Sequence, residues 1–305
     1  MINKFLSKAG IYPIVLFSMI FWGMSFVWST IVFKYYNPIT TIFLRLLLSS
    51  AILFIYIKFS GKYQKIRKED RKLLLVSALF NPFLYFLGEN FGLKYSTPTI
   101  SSVIIATIPV FTPVAAYLTV REKVTWTNIT GILFSFVGIA VMLINPDLSL
   151  NASPAGAFLL MGAVASAIIY TVFLKKLIVK YSPLNIIAYQ NVLGAIFFLP
   201  LFLIFDLKHF LTVRPNGELI ASLLQLSFFA SSLAFIFFAM GVKKIGMIRT
   251  NVFSNLIPVF TAIFSAIFIS EIFTMTKIAG MSIVILGVII TQINWKSGLF
   301  LRGPS

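Results

Sequence analysis

The chain has 305 residues, 59% of them hydrophobic and 11% charged, with a mean hydropathy of +0.98, whereas soluble domains carry roughly a quarter charged residues. This composition describes a membrane protein. It excludes a watery catalytic domain of useful size, because no polar segment exceeds about a dozen residues between apolar runs long enough to cross a bilayer.

The absence of cysteine removes disulfides, thiolate nucleophiles and thiolate metal sites, and leaves the redox compartment undetermined. The one histidine, His209, is expected in a polar loop without partners, and metal ligands come in clusters. No GxxxxGK[ST] phosphate loop is present, which argues against ATP-driven pumping by this chain alone. Nothing in the sequence calls for a metal, prosthetic group or other cofactor.

Apolar runs of about 20 residues predict helices in chain order near 11–33, 38–59, 73–93, 97–119 and 126–144, then 155–174, 184–205, 218–241, 247–269 and 275–293. The first run is too long for the apolar core of a cleaved signal and no small-residue cleavage pattern follows it, so it is expected to stay in the protein. With the N-terminus placed in the cytoplasm, nineteen of the 25 Lys and Arg fall inside and five outside, and Arg45 lies within a span. The positive-inside rule thus places both termini in the cytoplasm and reads the net charge of +17 as a topology signal, with attraction to anionic lipid as a by-product and no need for nucleic acid. The densest basic patch, KYQKIRKEDRK at 62–72, reads as a topology anchor, with a regulatory lipid site as its alternative.

The pentapeptide IPVFT occurs twice, at 108–112 and 257–261. The same offset of 149 residues superposes Gly92 on Gly241, Lys94 on Lys243, Glu122 on Glu271, Gly131 on Gly280 and Gly138 on Gly287. A register held without gaps through two spans and their loop marks two homologous units, 11–144 and 155–293. Five spans per unit is an odd number, so the second copy enters the membrane from the opposite side. The predicted fold class is an all-α integral membrane protein of ten transmembrane helices arranged as two inverted five-helix repeats, an architecture that secondary transporters use for alternating access. The link at 145–156 has no basic residue and is expected outside. Pro109 and Pro258 occupy matched positions inside the fourth and ninth spans; matched interruptions point to a midplane site, where they would act as gating kinks or as inherited packing kinks.

These residues resemble the drug/metabolite transporter superfamily, specifically the EamA-type ten-helix permeases. The resemblance rests on FWGMSFV at 21–27, NPITTIFLRLLL at 37–48, GLKYSTPTISSVIIATIPVFTPVAAYL at 92–118, the repeated proline, and REKVT at 121–125 before a glycine-spaced fifth span. It implies a bundle whose central cavity is lined mainly by the first, third, fourth, sixth, eighth and ninth helices and opens alternately to either side. It also implies export of amino acids or other small metabolites across a bacterial inner membrane.

On the first helix Trp22, Ser25 and Ser29 share one face and are candidate lining residues, packing being the alternative. Ser77, Asn81, Tyr85 and Glu89 recur every four residues along the third helix, a polar stripe that should face the interior. The matching positions of the eighth helix are Leu226, Ala230, Ala234 and Phe238, so the halves differ where a solute would need asymmetry. Asn251, Ser254 and Asn255 precede Pro258 on the ninth helix, and Tyr170 on the sixth offers an aromatic wall with a hydroxyl. Arg45 and Glu89 lie at similar depth, roughly 6–11 Å below the outer interface at about 1.5 Å per residue, and both charges are missing from the second half. Glu89 is therefore expected to pair with Arg45; a proton-coupling carboxylate and a side chain snorkelling to the surface are the alternatives.

The expected function is a secondary transporter, an exporter of small organic metabolites or amino-acid-like solutes working by alternating access, with the proton as candidate coupling ion and the oligomeric state open. A flippase for lipid or lipid-linked sugar is the nearer alternative. A membrane enzyme acting on lipid is less supported, because such enzymes cluster acids, bases or a metal near an interface.

Overall fold

The computed structural model describes residues 8–121, 123–143, 153–270 and 275–292. Its helices in chain order are α1 (Lys8–Val32), α2 (Pro38–Phe59), α3 (Lys68–Lys94), α4 (Pro98–Thr119), α5 (Trp126–Leu143), α6 (Pro154–Lys180), α7 (Pro183–Thr212), α8 (Gly217–Ile245), α9 (Met247–Phe268) and α10 (Met275–Gln292). Among the described residues eight helices are long and apolar enough to cross a membrane, and the shorter apolar stretches of α5 and α10 complete the ten. Glu122, Glu271 and most of the 145–156 link lie outside the described residues, although α6 already begins within that link at Pro154.

The helix ends follow local chemistry. Four helices start with proline at their first position, where its missing N–H costs nothing and its fixed φ suits a helix. In three of them the preceding residue, Thr97, Ser153 or Ser182, accepts a hydrogen bond from a first-turn backbone N–H. At the other ends, Gly61 after α2 (φ +64°) and Gly246 after α8 (φ +88°) take backbone conformations that a Cβ would oppose.

Three helices run further than apolarity alone predicts. Helix α3 starts at Lys68, α6 continues to Lys180, and α7 continues to Thr212, so His209 sits exposed on the tail of a helix and not in a loop. Polar residues extend a membrane helix readily once it has left the hydrocarbon, and hydropathy is blind to that extension.

Helices α2 and α7 each tie down the other's start. The Asp206 carboxylate accepts hydrogen bonds from the Thr40 backbone N–H (3.0 Å), the Thr40 hydroxyl (2.8 Å) and Asn37 Nδ2 (3.2 Å), which satisfies the first turn of α2. At the opposite end Asn185 Oδ1 accepts from Gln64 N (2.9 Å) and its Nδ2 donates to the Lys62 carbonyl (2.9 Å), fixing the first turn of α7 to the chain leaving α2. A two-fold relation between the halves predicts this reciprocity, and the two halves meet it with different residues.

Helices α5 and α10 approach most closely at glycine. A Cβ on Gly131 would stand 2.5 Å from the Gly287 carbonyl oxygen, and one on Gly138 would stand 2.7 Å from that of Gly280. Only glycine permits this approach, which follows the small-residue packing that drives helix association in lipid. Since the offset of 149 exchanges Gly131 with Gly280 and Gly138 with Gly287, the contact is the repeat meeting itself across its own axis.

Candidate functional site

Three helices are broken at the level of the bundle centre. Helix α4 stops at Ile105 and restarts at Ile108, one residue before Pro109; α9 passes through a tight turn at Phe253–Leu256 and restarts at Ile257, one residue before Pro258. In α3 the turn Leu79–Leu84 is widened, and Asn81 leaves helical geometry altogether at φ −143°, ψ 119° just before Pro82. The backbone groups so freed find partners within protein, as a membrane interior demands: Ser166 Oγ on α6 donates to the Phe80 carbonyl at 2.6 Å. The matching stretch of α8, Leu226–Leu233, is widened as well although it contains no proline, and there Ser232 Oγ donates back to the Ser227 carbonyl at 2.8 Å.

Where these breaks meet, α1, α3, α4, α6, α8 and α9 enclose a cavity of about 40 Å³. They are the six helices that the resemblance implies. Asn81 and Tyr85 face it from α3, Tyr170 and Thr171 from α6, and Asn251 and Ser254 from α9, while Trp22, Phe235 and Phe238 form its aromatic wall. Trp22 packs its ring 4.9 Å from Phe235 and 5.2 Å from Phe238, and its Nε1 donates to the Ala230 carbonyl at 3.3 Å. A volume of this size holds a few waters, against about 300–1,000 Å³ for an occupied ligand pocket. The structure is therefore closed around this point.

Among the described residues, one fully buried polar atom of the cavity lining, Asn251 Nδ2, has no protein partner. Asn251 is 3% exposed, its Nδ2 makes no hydrogen bond, and Ser254 Oγ occupies the Asn251 carbonyl at 2.6 Å. Buried amides without partners are rare and each calls for a reason; at a cavity wall such an amide is placed to donate to an acceptor that enters the cavity. Tyr170 differs, because its hydroxyl donates to Gln190 Oε1 (3.4 Å), which in turn is held by Gln190 Nε2 donating to Ser77 Oγ (2.7 Å).

Of the residues expected at the site, Trp22, Asn81, Tyr85, Tyr170 and Asn251 come together on the cavity wall. Ser25 does not join them: its hydroxyl donates to the Trp22 carbonyl on its own helix (2.7 Å). Asn255 is buried on the turn before Pro258 and off the wall, with Oδ1 unpartnered. Glu89 lies one helical turn beyond Tyr85, whose hydroxyl donates to its carboxylate at 2.7 Å, and Asn90 Nδ2 donates to the other oxygen at 3.3 Å.

The expected direct pair of Arg45 and Glu89 does not form. Among the described residues the ion pairs are Lys34–Glu218 and Lys180–Asp70. Arg45, 1% exposed, donates through Nε to Ser231 Oγ at 2.8 Å and lays its guanidinium over the Phe86 ring at 4.4 Å. A hydrogen bond to a charged group contributes about 1.5–3 kcal/mol and a desolvated cation–π contact about 2 kcal/mol. Together they match the roughly 2.5–3.5 kcal/mol that an arginine costs at a helix centre, so the guanidinium is held without direct contact to the Glu89 carboxylate, which lies near enough to act on it through space. Ser231 is itself fixed, since its carbonyl accepts from Asn191 Nδ2 (3.0 Å), which also donates to Ser49 Oγ (2.6 Å).

Sequence reasoning missed Pro82, Thr171, Phe235 and Ser231. The Asn81-Pro82 dipeptide inside an apolar run is a signal of broken helix that could have been read. Ser231 becomes visible only by carrying Pro82 across the 149-residue offset, which lands on it.

The EamA-like transporter family model matches the chain twice, over residues 10–144 and 154–293. An uncharacterized transporter of Archaeoglobus fulgidus is 28% identical over 88% of this chain and 94% of its own length, and the uncharacterized transporter YetK of Bacillus subtilis is 27% identical over 83% and 78%. A protein of known crystal structure shares the fold at a TM-score of 0.75 and 15% identity, covering 94% of this chain and 97% of that one.

Proposed function

This chain belongs to the EamA-like transporter family, and we propose that it is a secondary transporter that exports small polar metabolites or amino-acid-like solutes by alternating access. The observation that carries the reading is the closed cavity at the broken segments of α3, α4 and α9, with the unpartnered amide of Asn251 at its wall. Its lining is aromatic and neutral-polar, so a bound solute would be read by hydrogen bonds and ring contacts.

Opening requires the six helices to part on one side at a time, and the breaks before Pro109 and Pro258 are suitable places to bend. Glu89 is the candidate for the coupling proton, because it stands one turn from the cavity, bonded to the lining Tyr85 and free of a direct counter-ion. The basic end of the bundle, where α2 and α8 finish, would face the cytoplasm of a bacterial inner membrane.

Uptake of radiolabelled amino acids, nucleosides and related metabolites into proteoliposomes under an imposed pH gradient tests the proposal. A saturable flux that responds to the gradient and falls in Asn251→Ala is expected. Absence of flux for every polar solute alongside flipping of a labelled lipid would contradict it.

A further inference from the structure

At the basic end a second and larger hollow lies between the chain leaving α2, the start of α7 and the last turns of α8. It measures about 680 Å³ and is lined by Gly61 to Gln64, Ser182 to Leu184, Ile236, Met240, Lys243 and Lys244. The two halves of its lining differ in kind. Lys62, Lys243 and Lys244 stand exposed at the rim, whereas Ile236, Met240 and Leu184 form a wall below. From Lys243 back to Ile236 is seven residues, about 10 Å along the helix axis. The hollow thus runs from the level of headgroups into the level of acyl chains.

Two glycine-terminated helix ends set this geometry. Helix α2 turns at Gly61 and α8 ends at Gly246, both with positive φ, which presents Lys62 and the Lys243–Lys244 pair at the same end of the bundle. Lysines at a helix end complement its dipole whatever else they do; what distinguishes these is that no carboxylate among the described residues pairs with them. Asp70, an acidic residue at this end, is already held by Lys180 (2.7 Å) and the Tyr181 hydroxyl (2.7 Å), and neither ion pair among the described residues involves Lys62, Lys243 or Lys244. The repeat sharpens the contrast, because Lys94, which the 149-residue offset matches to Lys243, donates to Asn37 Oδ1 at 3.2 Å. Lys62 leans on Tyr56, with Nζ 3.2 Å from its hydroxyl and 5.4 Å from its ring centre, and the Tyr189 hydroxyl donates to that of Tyr63 at 2.9 Å. Tyrosines in this position belong at a lipid headgroup level.

We propose that this hollow binds one anionic phospholipid of the surrounding leaflet, its phosphate between Lys62, Lys243 and Lys244 and an acyl chain along Leu184, Ile236 and Met240. The site is separate from the central cavity and does not depend on what the protein transports.

The test is native mass spectrometry of the full-length protein in a neutral detergent, titrated with phosphatidylglycerol, with phosphatidylcholine and inorganic phosphate as comparisons. One phosphatidylglycerol should be retained in preference to phosphatidylcholine, and phosphate should not displace it. Since each lysine near a headgroup contributes about 1 kcal/mol, the triple variant Lys62→Gln, Lys243→Gln, Lys244→Gln should weaken retention about a hundredfold. A variant with the same charge change elsewhere at this end of the bundle, Lys65→Gln, Lys68→Gln, Lys72→Gln, should change it only a few-fold, and Met240→Trp, which fills the apolar wall, should reduce it too. Equal losses in the two triple variants, equal retention of phosphatidylcholine, displacement by phosphate, or full retention in Met240→Trp would each overturn the proposal.

Discussion

Thr107 and Leu256, 149 residues apart, hold nearly the same backbone conformation, φ −77°, ψ −11° and φ −81°, ψ −14°, and each immediately precedes a restarted helix, two residues before a proline. A shared break at equal depth in two inverted halves places one hinge on each side of the central cavity. Replacing Pro109 or Pro258 by alanine should let the helix run straight through. Each variant is expected to bind solute within a few-fold of wild type but to turn over several-fold more slowly, as exchange across proteoliposomes would report. Unchanged turnover in both would remove the hinges from the account.

Arg45 is held by Ser231 and Phe86, so its stability effects should follow those partners. Ser231→Ala strands a buried guanidinium and should cost about 1.5–3 kcal/mol, whereas Arg45→Met removes the charge together with its insertion cost and should be milder. Glu89→Gln keeps an acceptor for the Tyr85 hydroxyl and removes a buried charge, so it should be milder than Ser231→Ala, while abolishing the response of transport to a pH gradient. Thermal melts of the three variants in detergent check this ordering; a large loss in Glu89→Gln that Arg45→Met relieves would restore the direct ion pair.

Asp206 answers three donors at the start of α2. Asp206→Ala leaves the Thr40 N–H and hydroxyl buried without an acceptor and should cost about 1–3 kcal/mol, whereas the exposed Glu218→Ala on the neighbouring surface should cost under about 1 kcal/mol. Denaturation midpoints of the two variants separate these expectations.

Sidedness follows from the odd number of spans in each half. Single cysteines at the exposed Lys65 and Arg214 should label with an impermeant thiol reagent from opposite faces of oriented vesicles, and the absence of native cysteine keeps the background clean. Labelling of both from one face would break the inverted arrangement.

The repeat was legible because IPVFT and three glycine positions survive in both halves, and glycine survives where backbones touch, as at Gly131 and Gly287. The polar stripe of α3 was legible in part: Asn81 and Tyr85 do reach the cavity, but Ser77 turns to Gln190, because the helix is broken between them at Asn81. The pairing of Arg45 with Glu89 was inferred from depth, which is one coordinate of three. Azimuth around each helix is set by tertiary packing, and there Phe86 lies under the guanidinium while Tyr85 takes the carboxylate. Contacts between the halves, such as Asp206 with Thr40, have no local signature in a sequence at all.

Alternating access through the central cavity is tested most directly at Ser254, which lines it and is nearly isosteric with cysteine. In a chain with no other cysteine, Ser254→Cys should react with an impermeant thiol reagent supplied from either face of the membrane, in separate experiments, with rates that shift in opposite directions when solute or a pH gradient is imposed. Reaction from one face only under every condition, or from neither, would contradict the account.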